Sequence, residues 1–345
     1  MVSGLQISVD FCREVVMPWL RHELGDDFDR VAVAVIGTGS DVLGLDDDLS
    51  RDHHWSPRAN IMLCRADADR LLPRLVAALE NRPPDNFRDY SIRYDRTGML
   101  GLCANVVEDF FARFLGTDQL PRTDADWLAL CEVDLSHVTS GAIVHDGPGE
   151  LTRRREHLAY YPDAIWKKRI ADWCMYITGR EAPYNYNRAV KRADELTGLI
   201  YLGQYFKRVM EMCYMLNRRY GPYTKWLNRT FRRLPKYVDR IAPGLDAVLA
   251  ETDGRRRVFQ MVEVNRIIAE ALHDLGLTAP PRPRPFDESL TDLTLYDSAV
   301  EIYRTLPPGL LAPSFNQIEL WEKFAREVLF DPEDYFVKLQ EKTGV

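Results

Sequence analysis

The stretch Arg30-Val-Ala-Val-Ala-Val-Ile-Gly-Thr-Gly-Ser40, continuing as Asp41-Val-Leu-Gly-Leu-Asp-Asp-Asp-Leu-Ser-Arg-Asp-His-His-Trp-Ser-Pro-Arg58, decides how this chain is read. Its opening is a β-branched apolar run without polar alternation, the pattern of a strand covered on both faces. The run stops at Gly37 and Gly39, where a tight turn needs backbone freedom. A Gly-Ser pair just beyond such a strand lets main-chain N–H groups and a hydroxyl approach a phosphate closely. Acids about a dozen positions later carry the hard oxygen donors that a phosphate-bound divalent cation requires. These are parts of phosphoryl-transfer chemistry. An ordinary turn followed by a solvated acidic loop has the same appearance, and on the residues alone that plainer reading is the stronger.

Around this stretch the hydrophobic pattern is mixed. Ile7, Phe11, Val15, Val16, Trp19 and Leu20 recur at helical spacing up to Gly25, despite Pro18. A second apolar run of strand length spans 59–64, and a helix over 68–80 is ended by Arg82-Pro83-Pro84. Residues 90–94 and 99–107 read as further strands, the latter passing into an aromatic helix over 108–115. From Leu151 onward strand alternation gives way to long helical patterns over 164–176, 187–217, 246–275 and 316–329. The turn cluster His145-Asp-Gly-Pro-Gly149 sets the expected boundary between domains 1–148 and 149–345, and 278–285 (TAPPRPRP) reads as a connector inside the helical half. The expected fold is α+β: a mixed-sheet domain followed by an all-helical domain closing over a cleft.

With 345 residues, 46% hydrophobic and 28% charged, the chain has ordinary globular composition, which excludes disorder, collagen and a disulfide scaffold. The net charge of -7 argues against a protein that coats nucleic acid or an anionic membrane. That charge is divided. Residues 1–80 carry 8 Arg and 14 acids, whereas 205–257 carry 13 Lys+Arg and 5 acids, an asymmetry suited to metal on one side and polyphosphate on the other. Six scattered cysteines contain no C-x-x-C pair, so neither a thiolate zinc site nor a disulfide framework is spelled out, and no partner histidine supports a cysteine nucleophile. The first apolar segment is interrupted by Asp10, Arg13, Glu14 and Arg21, and no run approaches a membrane span. A reducing cytoplasm is the expected location.

Gly39-Ser40, eleven residues, then Asp52-His53-His54 resembles the DNA polymerase β nucleotidyltransferase superfamily, whose signature is a Gly-Ser turn followed by an Asp-x-Asp metal motif. Ser40-Asp-Val-Leu-Gly44, Ser50-Arg-Asp-His53, Trp55 and Pro57-Arg58 resemble the DUF4037 family of nucleotidyltransferases. So do Asp126-Trp-Leu128, Tyr160-Tyr-Pro162 and Asn217-Arg-Arg-Tyr-Gly-Pro-Tyr-Thr-Lys-Trp226, and the resemblance covers about residues 30 to 235. It implies a polymerase β-like domain with a helical C-terminal domain. In it Gly39 and Ser40 contact nucleotide phosphates, Asp52 binds Mg²⁺, and Arg51 and Arg58 neutralise phosphate charge. An acceptor hydroxyl would attack the α-phosphorus of a nucleoside triphosphate in line, releasing pyrophosphate.

The chain departs from that pattern at its metal ligands. His54 stands at the second carboxylate position, and the later strand offers Cys103 and Asn105 where a third acid is expected. Exchanging a carboxylate for imidazole weakens a Mg²⁺ site and favours Mn²⁺, another transition metal or none. Three readings follow. Asp41, Asp46 or Asp48 replaces the missing acid, the protein binds nucleotide without turnover, or an Asp52/His54 pair holds another metal for different chemistry. In a strand, Asp52 and His54 share one face while His53 points away and serves as a hydrogen-bonding residue.

Arg192 and Lys225, near the central helical pattern, are candidates for a wall that receives the triphosphate or acceptor, and equally for helix packing. The basic tract Arg229, Arg232, Arg233, Lys236 and 255–257 reads as a solvated face before it reads as a tRNA contact. A small-molecule acceptor is favoured over nucleic acid. Arg266 and His273 have a spacing resembling the ribonuclease motif of HEPN helical domains, a weak signal on any one helix.

Overall fold

The computed structural model describes residues 3–51, 55–80, 85–92, 101–181, 183–282 and 294–311. It divides into two compact units, Met1–Arg122 with Leu130–Ala159, and Thr123–Ala129 with Tyr160–Val345.

The first unit opens with α1 (Gly4–Phe11) and α2 (Met17–Leu24), joined by a π-helical segment Cys12–Val16 in which the Met17 N–H donates to the Cys12 carbonyl. Pro18 has no N–H to give, and the helix expected over 7–24 absorbs that loss as a π-turn rather than as a break. Strand β1 (Val31–Val35) and strand β2 (Ala59–Leu63) are buried at every position, as the apolar run of β1 and the mainly apolar run of β2, interrupted by Asn60, predict. Helix α3 (Arg65–Glu80) follows, then the short pair β3 (Asn86–Phe87) and β4 (Tyr90–Ser91), strand β5 (Leu102–Val106) and helix α4 (Val107–Leu115). Of the strand expected over 90–94 only the first two residues pair, and 93 and 94 lie outside the described residues.

Helix α5 (Asp124–Ala129) belongs to the second unit, after which α6 (Glu132–Thr139), β6 (Ala142–Asp146) and α7 (Glu150–His157) complete the first. The sheet order is β5-β2-β1-β6. β1 is antiparallel to both neighbours, and β2 runs parallel to β5, so the sheet is mixed as expected. One observation corrects the sequence reading. His145 and Asp146 are strand residues, paired with Val33 and Ala32, and the turn begins only at Gly147. β6 is half-buried at all five positions, so it lacks the alternation that marks a strand in sequence. Ile7, Phe11, Val16 and Leu20 pack with Val31, Val33, Val35 and Ile61 in one core. Each such buried side chain is worth about 1.5–3 kcal/mol.

The second unit is helical. α8 (Asp163–Met175) runs into a π-helical segment Tyr176–Glu181, followed by α9 (Tyr184–Lys191), α10 (Glu195–Leu216), α11 (Thr224–Phe231), α12 (Val238–Ala250), α13 (Gly254–Asp274) and α14 (Thr294–Tyr303). Two expected helices are each two. The pattern over 187–217 breaks at Ala193, which takes φ 55°. The Ala193 N–H donates to the Val190 carbonyl and the Asp194 N–H to the Ala189 carbonyl, the two bonds of a Schellman ending. Asp194 then caps α10 by accepting from the Thr197 N–H at 3.1 Å. The pattern over 246–275 breaks between Ala250 and Gly254, where Asp253 accepts from the Arg256 N–H and starts α13. The pattern over 316–329 lies outside the described residues.

Candidate functional site

β1 delivers the chain to the turn Gly37-Thr-Gly-Ser40. Gly37 and Gly39 take φ 101° and 132°, which side-chain-bearing residues rarely adopt. At Gly39 there is a second constraint, because a Cβ there would lie 2.3 Å from Asp41 Oδ1 and 2.5 Å from Arg58 Nη2. The turn is thus built around a buried ion pair. Arg58 Nη2 donates to Asp41 Oδ1 at 2.7 Å and to the Thr38 carbonyl at 2.9 Å, with both side chains at most 3% exposed. Burial pushes the Asp41 carboxyl above the ordinary aspartate range, and Arg58 opposes that shift. Ser40 is half-exposed, and its carbonyl accepts from the Leu45 N–H at 2.8 Å, folding the loop back on itself.

The acids downstream have local tasks. Asp46 Oδ2 accepts from the Gly4 N–H at 2.8 Å and from Trp55 Nε1 at 3.0 Å, fastening the start of α1 to the loop. Asp47 and Ser50 bond reciprocally through the Asp47 N–H to Ser50 Oγ and the Ser50 N–H to Asp47 Oδ1. Asp48 opens the short 3-10 turn Asp48–Arg51. Asp52, His53 and His54 lie outside the described residues, as does the Arg51 side chain. On the neighbouring strands Asn60 Nδ2 donates to the Ile36 carbonyl at 3.3 Å, and Asn105 Nδ2 reaches Asn60 Oδ1 at 3.5 Å. Cys103 is buried.

A divalent cation does not fit the described donors. Asp41 Oδ2 is buried with no hydrogen-bond partner, as a ligand oxygen would be, but its carboxylate is already neutralised by Arg58. Among the described residues no group of three His, Cys, Asp or Glu side chains is placed to hold a metal ion. The predicted wall residues lie in the second unit. Arg192 is exposed at the C-terminal cap of α9, and Lys225 is exposed on α11 with Nζ 5.4 Å from the Trp226 ring centre.

Among the other basic candidates, Arg232, Arg256 and Arg266 are engaged with nearby acids. Arg232 pairs with Asp246 at 2.6 Å and Arg256 with Glu251 at 3.1 Å. Arg266 bonds Glu263 and Glu270 on its own helix, while His273 Nδ1 lies 3.0 Å from the Thr278 carbonyl oxygen.

The sequence reading missed a buried charged cluster on α8. Lys168 Nζ donates to Asp172 Oδ1 at 3.2 Å, Tyr303 of α14 donates to the same oxygen, and both charged side chains are at most 1% exposed. One turn away, the Arg169 and Arg208 guanidinium groups lie 5.0 and 5.3 Å from the Trp173 ring centre. Glu211 accepts from Trp173 Nε1 at 2.9 Å and from Arg208 Nη1 at 3.0 Å. A signal existed. The charged residues of α8, Asp163, Lys167, Lys168, Arg169 and Asp172, are spread around the helix instead of gathered on one polar face, so a helix packed on several sides must bury some of them.

The motif residues of this unit also pack against one another. Tyr160, Tyr161 and Tyr220 form a triangle with ring centres 5.1–5.3 Å apart, and Trp127 lies 5.9 Å from Tyr161. Asn217 Nδ2 donates to the carbonyls of Cys213 and Lys236, closing the turn after α10.

No curated protein matches the chain. A nucleotidyltransferase-like protein from Exiguobacterium sibiricum has a similar solved structure, with 9% identity and a TM-score of 0.40, covering 97% of this chain and 91% of that one. Residues 127–227 match the profile of DUF4037, a domain of unknown function, and contain the Tyr160–Pro162 and Asn217–Trp226 blocks but not the Gly37–Arg58 stretch. The aromatic triangle and the buried Lys168–Asp172 pair both lie inside those residues, the segment in which the chain is similar to DUF4037.

Proposed function

We propose that the chain binds a nucleoside triphosphate at the Gly37–Ser40 turn and transfers a nucleotidyl group to the hydroxyl of a small-molecule acceptor. The observation that supports this is the turn itself. A strand buried along its whole length ends in two positive-φ glycines and a half-exposed serine, and the Asp41–Arg58 pair holds that shape from below. Main chain held open in this way suits the close approach of phosphate oxygens. Arg58 acts in this scheme through the Thr38 carbonyl, as a positioning residue. The net charge of -7 favours a small acceptor over nucleic acid. The cation such chemistry uses, Mg²⁺ or Mn²⁺, would depend on Asp52 and His54, outside the described residues.

A second reading, nucleotide binding without turnover, is favoured by one observation. The carboxylate nearest the turn is spent on Arg58. Titration calorimetry with ATP, GTP, CTP and UTP, first with Mg²⁺ and then Mn²⁺, tests both. Saturable binding lost in Ser40→Ala or Asp52→Asn, with pyrophosphate released in the presence of an acceptor, supports transfer. The same binding without pyrophosphate supports the second reading. No binding of any triphosphate overturns both. A gain of Mg²⁺-dependent turnover in His54→Asp would identify the missing carboxylate as the cause of inactivity.

A further inference from the structure

The two helix breaks in the second unit, at Ala193 and at Thr252–Gly254, line one cavity of about 390 Å³. That volume lies in the range of roughly 300–1,000 Å³ usual for small-molecule sites. Its lining is mixed, and the apolar part is made by the Tyr186 ring, Ala189 and Val190 of α9, and Leu199 and Leu202 of α10. Gly198 leaves the space open, since a Cβ there would meet nothing nearer than Tyr186 Cε2 at 3.8 Å. The apolar surface continues outward. Leu196, Leu199 and Ile200 share one face of α10 and are 76%, 62% and 60% exposed, a cluster that soluble proteins keep where something binds.

The polar groups of the cavity are unequal. Arg257 is committed to the fold, donating from Nε to the Val248 carbonyl at 3.0 Å, from Nη1 to the Tyr186 hydroxyl at 2.7 Å and from Nη2 to the Glu251 carbonyl. Asp194 and Glu195 bring two carboxylates. Asp194 keeps one oxygen on the Thr197 N–H, a bond that holds its carboxyl below the ordinary aspartate range and therefore ionised at neutral pH. Ala193 contributes strain, because a non-glycine residue at φ 55° persists only where its surroundings require it.

We propose that this cavity binds a small organic cation: a protonated amine on an apolar or aromatic body. The body lies against Tyr186 and Leu202, and the ammonium group meets Asp194 and Glu195. A phosphate would face those carboxylates unfavourably, so the ligand is of another class than a triphosphate, and the proposal does not depend on the reading of the Gly37–Ser40 turn.

Three probes of one shape test the charge preference on the full chain: benzylamine, benzyl alcohol and benzoate, titrated by NMR. The expected order is benzylamine about fivefold tighter than benzyl alcohol, the factor for one exposed charge contact, with benzoate weakest. Gly198→Leu fills the cavity and should abolish binding of all three. Should that variant fail to fold, Leu199→Trp covers the mouth from an exposed position and should do the same. The pair Asp194→Asn and Glu195→Gln, which keeps the helix cap, should bring benzylamine down to the affinity of the alcohol and leave the alcohol unchanged. Equal affinity for all three probes, no binding of any, or binding untouched by the filled cavity overturns the proposal.

Discussion

Arg58 Nη2 holds two oxygens of the same turn, Asp41 Oδ1 at 2.7 Å and the Thr38 carbonyl at 2.9 Å, and Gly39 passes between them without room for a side chain. Removing the cation alone leaves a buried carboxylate. Arg58→Met should therefore cost about 3–5 kcal/mol at neutral pH in urea unfolding, and the double variant with Asp41→Asn should recover part of that loss.

Acidity should modulate this pair in a defined direction. Burial raises the folded-state pKa of Asp41 above its ordinary value of 3.8, so folding favours the protonated form. The stabilisation is fully present below that ordinary value and is lost as pH rises through the folded-state value. Asp41→Asn should accordingly gain on the wild type as pH increases from about 4 toward neutrality, read from urea midpoints at each pH. A constant difference would show that Asp41 titrates alike in both states.

Glycines in this loop should differ in tolerance. Gly44→Ala meets nothing within 4 Å and bears only the strain of φ 66°, about 1 kcal/mol. Gly39→Ala adds a collision with both partners of the ion pair, and should cost more than about 2 kcal/mol and abolish triphosphate binding.

In the helical unit, Asp172→Ala should destabilise by about 3–5 kcal/mol because it strands the Lys168 ammonium at 1% exposure. Tyr303→Phe, which removes only one donor to Asp172, should cost about 1–2 kcal/mol. Thermal unfolding of the two variants side by side checks the order.

Thiol chemistry offers a check on the core. Cys131 is exposed, whereas burial pushes Cys12 up to about 12, and Cys174 and Cys213 upward as well. An aromatic disulfide reagent should modify Cys131 within minutes and those three only on unfolding.

How much of this was legible depended on whether the cause was local. β1 and β2 announce themselves because strands covered on both faces carry mainly apolar runs without alternation, and Pro18 marks the place where a helix changes its hydrogen bonding. The breaks that shape the cavity were hidden. Ala193 occupies a position where glycine is usual, so the periodic pattern runs through it undisturbed. β6 owes its existence to pairing with a strand more than a hundred residues earlier, which no window on the sequence contains. Asp41 and Arg58 were both singled out, one for metal and one for phosphate. That each is occupied with the other follows only from the loop between them closing.

Helix α5 has a consequence for synthesis. The chain enters the helical unit at Thr123, returns to the sheet unit at Leu130, and leaves it again at Tyr160. On the ribosome Trp127 emerges well before Tyr161, its aromatic neighbour, and β1 has only one filled edge until residues 142–146 arrive. A nascent chain shorter than that presents Ala32–Val35 as an open strand edge, the kind of surface that chaperones shield.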